Sequence, residues 1–277
     1  MARIEGDWQS YQGKNVWGGK AAEHRAQFPG KGTGIVCLQG VLYMWVGGPD
    51  SRVIENTQLA VSRDHSQTWE LAPWKWTIND RLFAGTFLNC GQNNSDARDD
   101  YVYSYFTRIE VAPQPPRSWI HERPGMVDLA RVPAKQLLRR EAYEWFAGLA
   151  PDGQVTWTAD QAARVPTFTD PNGIKIVSVC RVPGIDRYLL VYNPRDNAGN
   201  FGLFEAPEPW GPWREVAYLK RQALFMPPEP NTRVSLFHFA PKWWNSAGRE
   251  FTLIFNTGDD AWNTVRGQLL LPKYLQP

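Results

Sequence analysis

The chain has 277 residues, a formal net charge of +2 and 43% hydrophobic residues. That length suits a single all-β domain spanning 1–277, and near-neutral charge with scattered Lys and Arg gives no electrostatic case for a nucleic-acid or anionic-membrane partner. The start, Met-Ala-Arg-Ile-Glu-Gly-Asp-Trp, has no signal-peptide pattern, and no apolar run is long enough to span a bilayer.

In chain order, residues 34–38 and 41–46 flank the turn pair Gln39-Gly40 and read as a hairpin; 58–63 and 68–71 complete a first set of strands. A second set comprises 101–106, 126–132 and 144–147. A third comprises 175–180, 188–192, 201–205 and 213–218, and a fourth 233–239, 250–255 and 265–271. Helical signal is confined to 133–140 and a turn at 160–164, and 113–116 is a proline-rich surface loop. Repeated sets of three or four short strands predict a β-propeller, with a β-sandwich as the rival.

Fourteen Trp is the unusual feature of the composition. Large rings fill the wedges between twisted sheets, and a few exposed ones would stack on the C–H faces of sugars. Cys37, Cys90 and Cys180 are far apart and read as buried free thiols. The four His form no metal-ligand spacing, so neither a metal nor a cofactor is expected.

Four segments carry candidate chemistry. Arg98, Asp99 and Asp100 stand at the entrance of the strand 101–106. If that strand is innermost, its carboxylates point into a channel mouth, where acid, base or nucleophile work is possible; the alternative is a capped turn with an Asp–Arg pair. Glu144 lies inside an aromatic run, which suits a general acid, or else faces water on an edge strand. Lys242 and Trp243 join a cation to a ring pair, either to hold a sugar or to pack a blade corner. The run at 206–213, with three Pro and Gly211, is a rigid turn.

Ser62-Arg63-Asp64-His65-Ser66-Gln67-Thr68-Trp69 resembles the Asp-box turn of sialidase-type propellers, with Ser66 where Gly is usual and a structural role for Asp64. The order ARDDYVYSY, LARVP, EAYEWFAG, FEAPEPWGPW, FAPKWW resembles one propeller family, domain of unknown function 4185. VLYMWV, SRDHSQTWE and FLNCG fit the same pattern, so the resemblance covers nearly the whole chain. It implies a five-bladed β-propeller with glycoside hydrolases among its relatives, including endo-acting enzymes that cleave mycobacterial D-arabinan. It also implies a further N-terminal segment in the family, so that this chain would open at the end of an incomplete first blade.

The expected function is therefore glycoside hydrolysis of a furanose-rich, D-arabinan-like polysaccharide or oligosaccharide. Asp99 or Asp100 would supply one carboxylate and Glu144 the other, with Arg98, Lys242 and Trp243 binding hydroxyls or ring faces. Glycan binding without turnover is the second reading, and a structural or protein-binding propeller the third.

Overall fold

Runs of apolar residues fold the chain into antiparallel meanders, one behind another. The computed structural model describes residues 2–7, 9–15, 30–49, 54–109, 125–194, 200–219, 234–256 and 262–270. It opens with a hairpin, β1 (Ala2–Gly6) and β2 (Tyr11–Asn15). A four-stranded sheet follows: β3 (Lys31–Leu38), β4 (Val41–Pro49), β5 (Ile54–Ser62) and β6 (Glu70–Thr77). The next meander holds β7 (Leu82–Asn89), β8 (Tyr101–Arg108), β9 (Met126–Pro133), β10 (Glu144–Leu149), β11 (Val155–Thr158) and β12 (Pro166–Thr169), the last paired to β9. The third is β13 (Ile174–Val182), β14 (Arg187–Pro194), β15 (Phe201–Ala206) and β16 (Arg214–Leu219). The fourth is β17 (Ser235–Trp244), β18 (Glu250–Asn256) and β19 (Trp262–Gln268).

The first strands of the four sheets stand side by side. Thr33 Oγ1 on β3 donates to the Gly85 carbonyl on β7 at 2.6 Å. β7 pairs in parallel with β13, Leu88 opposite Val179. β17 packs on β13 and β14, and Leu236 N donates to Asn193 Oδ1 at 2.6 Å. Sheets ranked this way are the blades of a propeller. Among the described residues the strands fall into four such meanders and the hairpin, the second and third meanders joined through β7 and β13, and the expected all-β propeller class holds. The end at which β7 and β13 begin is called the entry end below, and the end at which they finish the exit end.

Two expectations change. The inner strand of the second blade is β7, which the strand signals passed over, and β8 is the second strand. Asp99 and Asp100 therefore stand one strand away from the inner row. The physical reason lies in β7 itself. Its register breaks between Phe83 and Thr86, and Ala84 takes a positive φ of 48°. A Cβ on Gly85 would lie 2.5 Å from Phe106 Cε1 and 2.9 Å from Trp45 Cγ, so the closest packing in the wedge demands a residue with weak strand signal. The helix expected at 133–140 is instead the end of β9 and two short 3-10 turns, Ala134–Gln136 and Arg140–Ala142. The turn expected at 160–164 is present at Gln161–Ala163, capped by Asp160. The loop at 113–116 lies outside the described residues.

Rings fill the wedge between the first two blades. Trp45 is fully buried, with ring centroids 5.2 Å from Trp76, 5.6 Å from Phe87 and 5.1 Å from Phe106. Such pairs each add about 0.5–1.5 kcal/mol beyond their burial. The hairpin β1–β2 is held on the fourth blade by Tyr11, whose ring lies 4.9 Å from Trp243 and 5.8 Å from Trp262 and whose hydroxyl bonds Thr264 Oγ1.

Candidate functional site

Sheet register builds a polar row at the exit end of the second blade. On neighbouring strands, Tyr103 of β8 stands opposite Arg131 of β9, and Arg131 opposite Glu144 of β10. Residues paired across a ladder share a face, so these three side chains meet. Arg131 Nε donates to Glu144 Oε2 at 2.8 Å. The guanidinium lies over the Tyr101 ring at 4.3 Å and the Trp157 ring at 4.2 Å. Trp157 in turn meets Trp210 edge to face at 6.0 Å.

Asp99 joins the row from the turn before β8. Its Oδ1 accepts from Tyr101 N at 3.0 Å, and its Oδ2 from the Tyr103 hydroxyl at 2.6 Å. Burial pushes the Tyr103 phenol well up, with the Asp99 acceptor adding and Arg131 opposing. The structure thus brings Asp99 and Glu144 into one cluster, joined through Tyr103 and Arg131. Asp100 is exposed beside them, and its carbonyl accepts from Ala134 N at 2.8 Å.

The other expected residues are engaged elsewhere. Arg98 bridges two blades: it pairs with Asp186 and, at 3.5 Å, with Glu208, and donates to the Pro207 carbonyl at 3.2 Å. The Arg98 hydrogen bond holds the Asp186 carboxyl below the usual carboxylate range against burial, and Arg181 at 3.0 Å helps. Lys242 Nζ donates to the Ile4 carbonyl of the hairpin. Trp243 is 1% exposed, between Tyr11 and Trp262, and a ring so covered has no face to offer a sugar. These two residues pack the fourth blade's corner and hold the N-terminal hairpin.

Sequence reasoning missed Tyr101, Tyr103, Arg131 and Trp157 as members of the cluster. The Tyr-x-Tyr alternation in 101–103 signals one shared face, but nothing local pairs it with Arg131. It also missed two buried carboxylates toward the entry end. Asp128 is fully buried between Arg108, which bonds it twice through Nε at 2.9 Å, and Arg164 at 2.7 Å. Asp170 is 5% exposed and accepts from the hydroxyls of Tyr192 and, at 3.2 Å, Tyr218. Burial, and after it the Asp170 acceptor, push the Tyr192 phenol far up.

The Asp-box resemblance has a structural counterpart in the β5–β6 turn. Asp64 Oδ1 accepts from Thr68 N and Ser62 Oγ at 2.9 Å each, and Oδ2 from Thr68 Oγ1 at 2.6 Å. Those bonds, Thr68 first, hold its carboxyl at about 2. Ser66 takes the positive φ, 69°, that a Gly would adopt without strain.

A family model described as "Domain of unknown function (DUF4185)" matches residues 32–239. No curated protein matches the chain. Among solved structures, it is similar to a protein from Bacteroides ovatus ATCC 8483 described as a hydrolase: 15% identity, TM-score 0.49, covering 82% of this chain and 54% of that one. It is also similar to an exo-β-1,3-galactanase from Phanerochaete chrysosporium, with galactose: 11% identity, TM-score 0.42, 96% and 64% covered. A third is a xylan β-1,4-xylosidase from Bacillus halodurans C-125: 10% identity, TM-score 0.38, 89% and 54% covered. The chain thus spans between about half and two thirds of the length of these structures, and no residue role passes from them to it.

Proposed function

This chain belongs to the DUF4185 family, and from that premise we propose that it is a carbohydrate-active propeller that cleaves a furanose-rich, D-arabinan-like glycan at its exit end. The observation that carries the proposal is a row that links two carboxylates, Asp99 bound to Tyr103 and Glu144 bound to Arg131, with the arginine held between aromatic rings. Glycoside cleavage needs two such groups, one to protonate the leaving oxygen and one to act as base or nucleophile on the other side of the bond. Asp100 neighbours Asp99 and is the other candidate for the first role. The resemblance read from the sequence, with glycoside hydrolases among the relatives, supports the same class.

Glycan binding without turnover is the second reading. It is favoured by the ties already made: Asp99 to Tyr103 and Glu144 to Arg131, on strands outside the inner row. One experiment separates the two. Reducing-end release from arabinan, arabinogalactan and xylan is measured for the native chain, for Asp99→Asn with Asp100→Asn, and for Glu144→Gln. Release by the native chain, lost in both folded variants, supports the hydrolase. Binding with no release by any form leaves a lectin-like propeller. Release that survives both variants removes this cluster from the chemistry.

A further inference from the structure

The Arg131–Glu144 pair differs from its neighbours at the exit end. Arg98 and Arg181 converge on Asp186, and they also donate to Glu208 and to the carbonyls of Pro207 and Asp96, while Arg181 Nε is buried without a partner among the described residues. Those forks hold two blades together. Arg131 is held by its faces, between the rings of Tyr101 and Trp157, and by the Tyr103 hydroxyl beside it. Among the described residues its only hydrogen bond to a carboxylate runs through Nε to Glu144 Oε2. The Nη end of the fork and Glu144 Oε1 stand outside that bond. The side chains are 19% and 38% exposed, so both reach solvent.

A rigid donor beside a rigid acceptor is what two hydroxyls on adjacent carbons require: one oxygen accepts from the guanidinium while its neighbour donates to the carboxylate. Stacking on two rings orders the guanidinium before the ligand arrives, so less side-chain freedom is lost on binding. Charge narrows the class further. Arg131 and Glu144 cancel, and Asp99 and Asp100 beside them leave a surplus of negative charge. Uronate, sulfate or phosphate groups would be repelled there.

We infer that the Arg131–Glu144 pair reads a vicinal diol on an uncharged glycan. This rests on the carbohydrate reading above and adds the substrate class and a binding residue, Arg131, to it.

The test uses the whole chain and measures affinity for arabinan and xylan before and after periodate oxidation and borohydride reduction. That treatment cleaves the bond between carbons bearing vicinal hydroxyls and leaves an uncharged chain without the diol. Polygalacturonate serves as the acidic counterpart. Arg131→Lys, which keeps the charge but loses the planar fork, is measured in parallel, with its melting temperature as the check on folding. The expected result is at least tenfold weaker binding after oxidation, a similar loss in folded Arg131→Lys, and no binding of polygalacturonate. Undiminished binding of the oxidised polymers, or a preference for polygalacturonate, overturns the diol inference and leaves the carbohydrate reading standing. Undiminished binding by Arg131→Lys overturns the assignment of Arg131. Absence of binding to every polysaccharide overturns both. The oxidation arm uses only the native chain, so it decides even if the variant fails to fold.

Discussion

The two ends of the second and third blades treat charge in opposite ways. Toward the entry end, Asp128 is fully buried between two arginines, and Asp170 is buried under two tyrosine hydroxyls. At the exit end, Asp99 accepts from Tyr101 N and the Tyr103 hydroxyl, Glu144 accepts from Arg131, and both remain open to water. Buried charge must be fully partnered or the fold suffers, so the entry networks are committed to stability. Half-exposed charge contributes little to stability and is free to meet a ligand. The difference separates what holds the propeller from what a substrate would touch.

Removing charge at the two ends should break the comparison if it is wrong. Asp128→Asn strips Arg108 and Arg164 of their shared carboxylate inside the sheet. The expected loss is about 3–5 kcal/mol, read by denaturant unfolding; a loss under about 1 kcal/mol, the size of a surface ion pair, would contradict the structural assignment. Tyr192→Phe takes one buried donor from Asp170. About 1–3 kcal/mol should go in the same assay, and an unchanged midpoint would show that the Tyr218 hydroxyl and Asn172 N, which donates to Asp170 Oδ1 at 2.8 Å, suffice.

The Asp64 turn gives a smaller, pH-dependent effect. Its folded carboxyl sits at about 2, below the ordinary 3.8, so the folded chain takes up that proton later than the unfolded chain does. The stability it contributes is present above about pH 4 and is lost as pH falls toward 2. Asp64→Asn should flatten that limb of the melting profile and leave the rest; an identical profile would remove Asp64 from the acid transition. Glu144→Gln should change stability least, by no more than about 1 kcal/mol, because the pair with Arg131 is partly exposed. Its effect should fall on glycan binding instead, measured by calorimetry. A large stability loss with binding intact would place Glu144 with Asp128, among the groups that hold the fold.

Much of the architecture was legible in the sequence. The strands of the third blade announce themselves because β13 and β14 are buried almost throughout and carry dense β-branched and aromatic residues. The Gln39-Gly40 hairpin follows from a turn pair in which both residues take positive φ, 50° and 82°. β7 was not legible: Gly85 is selected by close contact with Trp45 and Phe106, and a contact between blades leaves no period in the chain. That one omission shifted Asp99 and Asp100 from the inner row to the second strand.

The candidate site was legible as residue types and not as an arrangement. Asp99 stood out as an acid at a strand entrance and Glu144 as an acid among aromatics, but Arg131 became relevant only through the register of β8, β9 and β10. Register depends on how three strands align, and a one-residue slip would turn Arg131 to the other face. The Lys242-Trp243 pair shows the converse. Its chemistry suits sugar binding, yet the N-terminal hairpin, more than two hundred residues away in sequence, covers Trp243.

The most direct test is hydrogen–deuterium exchange of the native chain with and without saturating arabinan. Protection confined to 98–104, 129–133, 144–147 and 155–158, with 78–84 and 170–176 unchanged, is the result expected of an exit-end carbohydrate site. Protection centred on 170–176 and the start of β7, with the exit end unaffected, would move the site to the other face and contradict it.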